Sequence, residues 1–232
     1  MNKPVFPKLH LNIFEGGLIL AVVVLNIVGT LFSKEIDWVA SIASIAGVVG
    51  VVLTAKGHLA CYIFGLIQVS LYIFISWKSK FYGEVMLNGL YFLPMQVIGF
   101  YTWRERLGKQ NLVKASTMTT TQRIILLSIT AICALAYGWW LDYLGGKAPY
   151  LDSISTILSI VAMMLMVRAF VEQWILWMVV NIVTIVMWVI AYIDHEDSSL
   201  LMIVMWSLFL INSVYGFLNW QKLSKTNDTT TP

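Results

Sequence analysis

The sequence predicts an all-α integral membrane protein, and three observations carry that class. Of 232 residues, 59% are apolar and 12% charged, about half the charged share of a soluble chain. The mean hydropathy is +0.80. Uncharged apolar runs of about 18 to 23 residues, the length of a tilted bilayer-crossing helix, recur eight times with the charges gathered between them. The net charge of +3 therefore reads as membrane topology rather than affinity for nucleic acid.

The spans fall near 11–32, 38–55, 58–77, 83–103, 123–141, 150–167, 172–193 and 198–220. The N-terminus is basic like a signal peptide, but the first run is too long for the apolar region of one and lacks an A-x-A site, so it should stay as an uncleaved span. The second span carries Ala40, Ala43, Ser44, Ala46, Gly47 and Gly50 at a spacing that lets helix backbones approach closely. Pro94 in the fourth removes a backbone donor and should kink it, as a hinge or a static bend. Asp152 makes the sixth the weakest span. Residues 104–122 are basic and then Ser/Thr-rich, and the chain beyond Lys222 is polar; both are expected to be solvated and mobile. Cys61 and Cys133 lie inside apolar runs and read as unpaired core residues.

Orientation follows from the basic residues. The N-terminus and alternate loops hold Lys3, Lys8, Lys56, Arg104, Arg106, Lys109, Lys114, Arg123, Arg168, Lys222 and Lys225, against Lys34, Lys78, Lys80 and Lys147 on the other side. That asymmetry puts both termini in the cytoplasm, as an even number of spans requires.

An internal repeat organises the chain. The fourth span ends Gly99-Phe100-Tyr101-Thr102-Trp103 and the eighth ends Gly216-Phe217-Leu218-Asn219-Trp220. Upstream, Phe64 aligns with Trp177 and Gln68 with Asn181 at an offset of 113 residues, and the endings align at 117. The loop Asp194-His195-Glu196-Asp197 supplies the difference. Spans 2–4 and 6–8 thus form two three-helix units joined by the fifth, a 3+1+3 parallel repeat, with the first span outside it. The organisation expected is a tail and extra helix over 1–37 and a first unit over 38–103. A cytoplasmic linker with connecting helix follows over 104–149, then a second unit over 150–220 and a disordered tail over 221–232.

The candidate site is centred on Trp174, Trp177 and Asn181, at i, i+3 and i+7 on one helical face. Helix rise puts Asn181 roughly 13 Å inside the span, near mid-membrane. Flat aromatic faces beside an uncharged amide suit a small, flat, polar solute. The structural alternatives are an interfacial aromatic belt for the tryptophans and a helix–helix hydrogen bond for Asn181. Gln68 lies at similar depth in its own span, Tyr72 one turn further, and Gln96 and Asn212 in the closing spans can complete the ring. Asn88 is a weaker member nearer the extracellular side.

No Asp, Glu, Lys or Arg falls at a span centre. Glu15, Glu84, Asp142, Asp152 and Asp194 lie near ends, where water or snorkelling serves them. Ion-coupled pumps usually hold an ionisable or ion-coordinating group at depth, so facilitated diffusion is favoured. His10, His58 and His195 sit at span edges without metal-ligand spacing. With no phosphate-binding loop and no nucleophile or zinc motif, neither an enzyme nor a cofactor is expected.

The W-x-x-W-x-x-x-N helix, the Gly-Phe-Tyr-x-Trp-Arg helix end and the repeat together resemble the PnuC family of vitamin transporters across nearly all of residues 38–220. The resemblance implies a helix arrangement like that of full-length SWEET sugar transporters, a homotrimer in the bacterial inner membrane, and facilitated diffusion of nicotinamide riboside, a form of vitamin B3. It further implies that a cytoplasmic kinase traps the vitamin by phosphorylation, and that Trp174, Trp177 and Asn181 contact substrate. Gln68, Tyr72, Gln96 and Asn212 rest on depth and repeat symmetry. A pyridinium cation suits indole faces. Thiamine is also an aromatic cation, so a thiamine or riboflavin carrier on the same scaffold stays open, as does a membrane receptor that binds without transporting.

Overall fold

Helices account for every extended element in the computed structural model, which describes residues 10–33, 38–78, 82–108, 111–145, 148–193 and 199–228. In order they are α1 (Ile13–Ser33), α2 (Trp38–Ala55), α3 (Cys61–Lys78), α4 (Tyr82–Leu87), a π-helical turn (Asn88–Phe92), α5 (Leu93–Glu105), α6 (Thr120–Tyr143), α7 (Pro149–Val167), α8 (Gln173–Ile193) and α9 (Ser199–Asp228). Because α4, the π turn and α5 run on from one another, the described residues form eight rods at the eight apolar runs. Five helices are long and apolar enough to cross a membrane, and Ile13–Val28 and Cys61–Ile75 are shorter apolar stretches. The protein is a multi-pass membrane protein.

Pro94 explains the π turn. It has no N–H for the carbonyl of Leu90, and immediately before it the Leu93 N–H reaches back five residues to the Asn88 carbonyl. The expected kink is thus realised as one wide turn. The chain end needs a correction. Residues 221–228, expected to be a disordered tail, continue α9; Gln, Lys and Leu favour helix beyond the point where apolarity stops. The loop Asp194–Asp197 lies outside the described residues.

The chain divides into two compact units, residues 1–114 and 115–232. In the first, α2 packs on α3, α3 on α5, and α1 on α2. The small residues of α2 set the crossing: a Cβ on Gly50 would stand 3.7 Å from the Cys61 carbonyl and the Gly65 nitrogen. α1 is fastened at two levels. Asn12 and Glu15 cap its N-terminus reciprocally, each side chain accepting the other's backbone N–H at 2.8 Å. Glu15 is not at a wet helix end as expected: it is fully buried, and the Lys56 Nζ approaches its Oε2 to 2.7 Å. Deeper, the Asn26 amide donates to Ser44 Oγ at 2.8 Å.

In the second unit α6 packs on α7, α7 on α8 and α8 on α9. α6 starts in a Thr119/Gln122 capping box, and the Ser153 hydroxyl donates to the Ala134 carbonyl at 2.6 Å to tie α7 to it. Leu158, Ala162, Leu165, Leu176 and Val180 form the α7–α8 core.

The turn between α2 and α3 recurs between α7 and α8. Lys56 N–H donates to the Val52 carbonyl, Gly57 to Thr54 and His58 to Leu53; Arg168, Ala169 and Phe170 do the same to Met164, Met166 and Leu165. Every member of the second set lies 112 residues after its counterpart. Gly57 and Ala169 take the left-handed φ of 69° and 58° that such a helix stop requires. The segment 111–118 is also held. Val113 N–H donates to the Gly57 carbonyl within the first unit, and Ser116 N–H donates to the Ala169 carbonyl within the second, both at 2.9 Å.

Candidate functional site

The Gly-Phe-x-x-Trp helix ends prove to be sockets. Gly99 and Trp103 enclose the ring of Tyr62, which meets Trp103 edge-on at 4.9 Å. Gly216 and Trp220 enclose Trp174, edge-on at 6.0 Å. A Cβ on either glycine would collide with the enclosed ring. Tyr62 and Trp174 are therefore equivalent residues, and they stand 112 apart, as the turns do. This corrects the repeat. The offset is 112 and not 113, so Gln68 aligns with Val180 and Asn181 with Val69; the two amides are not symmetry partners.

Each unit contributes four of the eight candidate residues. In the first, Gln68 is half-buried, with its Cγ 3.2 Å from where a Cβ on Gly47 would lie, so it packs against α2. Tyr72 is half-buried one turn on. Asn88 is buried, and its backbone carbonyl closes the π turn. Gln96 is buried too, and its amide lies against Cα of Gly65, where any side chain would displace it. Its Oε1 has no hydrogen-bond partner among the described residues.

In the second unit Trp174 is 2% exposed and its indole N–H has no partner among the described residues. Trp177 is half-buried at the margin of the α7–α8 core. Asn181 is buried and its amide donates to Ser213 Oγ at 2.9 Å. The helix–helix hydrogen bond weighed for Asn181 is thus present. Asn212, beside Ser213 on α9, is buried as well. Buried polar atoms nearly always find a partner, so Gln96 Oε1 and the Trp174 N–H are atoms that a polar solute or water would complete. Sequence reasoning missed Tyr62, Ser213 and Gly65. Only the repeated Gly-Phe-x-x-Trp motif could have signalled one of them, Tyr62.

Residues 37–222 match the family model described as nicotinamide mononucleotide transporter. The chain belongs to that family. Relatives within reach of it carry the name nicotinamide riboside transporter PnuC. The protein from Neisseria mucosa is 39% identical over 217 residues, 91% of this chain and 82% of the relative. The one from Haemophilus influenzae is 33% identical over 193 residues, 82% of this chain and 81% of the relative. A solved structure described as "Crystal structure of the Vitamin B3 transporter PnuC" superposes with a TM-score of 0.78 at 39% identity, covering 94% of both chains. Family membership, eight helical rods and apolar spans make this chain a membrane transporter by kinship and by build.

Proposed function

We propose that the protein carries nicotinamide riboside across the inner membrane into the cytoplasm by facilitated diffusion. The family name offers a mononucleotide and the relatives' names a riboside, and the lack of charge among the candidate residues supports the riboside. All eight candidate residues are uncharged. A phosphate dianion needs a cation or a cluster of backbone donors at depth, and its desolvation unmatched is prohibitive. A riboside asks only for aromatic faces against its pyridinium and for amides against its hydroxyls and carboxamide. That neutral, polar-aromatic composition is the observation that carries the reading.

In this reading Trp174, Trp177, Asn181 and Asn212, and with them Gln68, Tyr72, Asn88 and Gln96, contact the solute. Spans 2–4 and 6–8 are two three-helix units in a SWEET-like 3+1+3 arrangement, and access alternates by their rocking. Both termini are cytoplasmic, the assembly is a homotrimer, and a cytoplasmic kinase traps the product. The absence of a charged residue at any span centre supports diffusion without ion coupling.

Titration calorimetry on the detergent-purified protein, followed by flux in sealed liposomes, tests this. Nicotinamide riboside should bind and equilibrate across the bilayer, and nicotinamide mononucleotide, thiamine and riboflavin should not compete. Binding without flux would make the protein a receptor, and thiamine or riboflavin binding would move the substrate to that vitamin. Trp177→Ala and Asn181→Leu should each weaken binding at least tenfold, roughly 1.4 kcal/mol, with the protein still folded. Ser213 keeps a partner in Asn181→Leu, because its hydroxyl also donates to the Phe209 carbonyl at 2.9 Å.

A further inference from the structure

Tyr62 stands outside the eight candidate residues, yet its place in the first unit is that of Trp174 in the second. Each ring is enclosed by the glycine and the tryptophan of a Gly-Phe-x-x-Trp helix end. Each also carries one hydrogen-bond donor, the Tyr62 phenol and the Trp174 indole N–H, and neither has a partner among the described residues. Both side chains are buried. The repeat has thus reproduced an unpaired buried donor along with the packing, and such a group is costly unless something completes it.

An unpaired acceptor lies one helical level away. Tyr62 of α3 rests on Gly99 of α5, its Oη 2.7 Å from where a Cβ on that glycine would lie. Gln96 of α5 rests in turn on Gly65 of α3, its Oε1 2.5 Å from the corresponding point. Three residues forward on α3 and three back on α5 lead from the first contact to the second. The two are therefore successive levels of one antiparallel crossing, about 4.5 Å apart along the helices. Gln96 Oε1 has no partner among the described residues. At the equivalent level of the second unit, Ser213 accepts from the Asn181 amide at 2.9 Å. Val69 takes the place of Asn181 in the first unit, and its side chain has no hydrogen bond to give Gln96.

A donor and an acceptor one level apart do not bond to each other, and these two do not. They suit a single oxygen placed between them that accepts from one and donates to the other, which a hydroxyl does. From this geometry we infer that Tyr62 is a further solute-contacting residue, and that its phenol and Gln96 Oε1 together hold one hydroxyl of the solute. The inference rests on the reading of the protein as a riboside carrier, whose ribose supplies the hydroxyls; an ordered water is the other source of the same chemistry. Both side chains are covered in this conformation, so the hydroxyl enters when the α3–α5 crossing opens. The π turn and Pro94, just ahead of Gln96, place a hinge for that opening.

Titration calorimetry of the wild type and Tyr62→Phe with nicotinamide riboside and its 2′-, 3′- and 5′-deoxy analogues tests the inference. Phenylalanine keeps the ring in its socket and removes only the unpaired oxygen, so the variant should unfold at or above the wild-type temperature. Nicotinamide riboside should bind it about fivefold more weakly. One deoxy analogue should bind the wild type weakly and lose nothing further in Tyr62→Phe, because it lacks the hydroxyl that Tyr62 holds. Unchanged affinity for nicotinamide riboside in the variant would overturn the inference, and a lowered unfolding temperature beside it would give the pair to an ordered water. An equal loss for the riboside and all three analogues would also overturn it, since the phenol would then act on something other than a hydroxyl. Failure of nicotinamide riboside to bind the wild type is a different result: it would overturn the riboside reading and this inference with it.

Discussion

The two units repeat a turn and a socket but differ wherever a polar group is involved. In the first unit an acid on the leading helix, Glu15, holds a base on the turn, Lys56. In the second a base on the leading helix, Arg123, holds an acid on the turn, Glu172. Deeper in, glycine at 65 makes room for the Gln96 amide; the equivalent positions carry Trp177 and Ser213. Val69 stands where the other unit has Asn181. Packing that fixes helix crossings thus recurs from one unit to the other, and the polar side chains do not.

The ion pairs give the largest contrast. Lys56→Met takes the lysine charge away from the fully buried Glu15 carboxylate while the Asn12 N–H bond stays, and should lower stability by about 3–5 kcal/mol. Arg123→Met leaves Glu172 with an 11% exposed side chain and the Met118 N–H still bonded, so about 1–3 kcal/mol is expected. Thermal unfolding in detergent measures both, and equal losses would mean the two pairs are buried alike. The sockets should behave identically: Gly99→Ala and Gly216→Ala each force an enclosed ring outward, for about 1–3 kcal/mol of overpacking. A loss in only one of them would break the equivalence of Tyr62 and Trp174. Gly65→Ala should act differently. Its Cβ meets the tip of a flexible side chain, so the Gln96 amide shifts while the helices stay. Binding should fall about fivefold, near 1 kcal/mol, with the unfolding temperature unchanged; unaltered affinity would remove Gln96 from the site.

Hydropathy made the rods legible almost to their ends, because a bilayer-length apolar run admits few other structures. It failed past Trp220, where a polar helix continues, and between Leu87 and Leu93, where Pro94 acts on residues before it. The repeat was visible in the Gly-Phe-x-x-Trp endings, yet its offset was misread by one. Aligning Phe64 with Trp177 matched ring to ring, whereas the equivalence is set by what each glycine faces, and Tyr62 lies a long way from Gly99 in sequence. Glu15 was misplaced for the same reason: its partner Lys56 is 41 residues away. Of the candidate site, the face shared by Trp174, Trp177 and Asn181 was readable. That Trp174 fills a socket and that Asn181 leans on Ser213 was not.

The π turn also sets the phase of the rod that contains it. In an uninterrupted α-helix Asn88 and Gln96, eight residues apart, would point roughly 80° away from each other. Reaching back five residues instead of four absorbs about one residue's worth of rotation, which leaves them only some 20° apart. Both are buried, as are Gly99 and Trp103 further along the same line. A proline that cannot donate one hydrogen bond has thereby realigned a helix wheel, and Asn88 owes its inward azimuth to a residue six positions downstream.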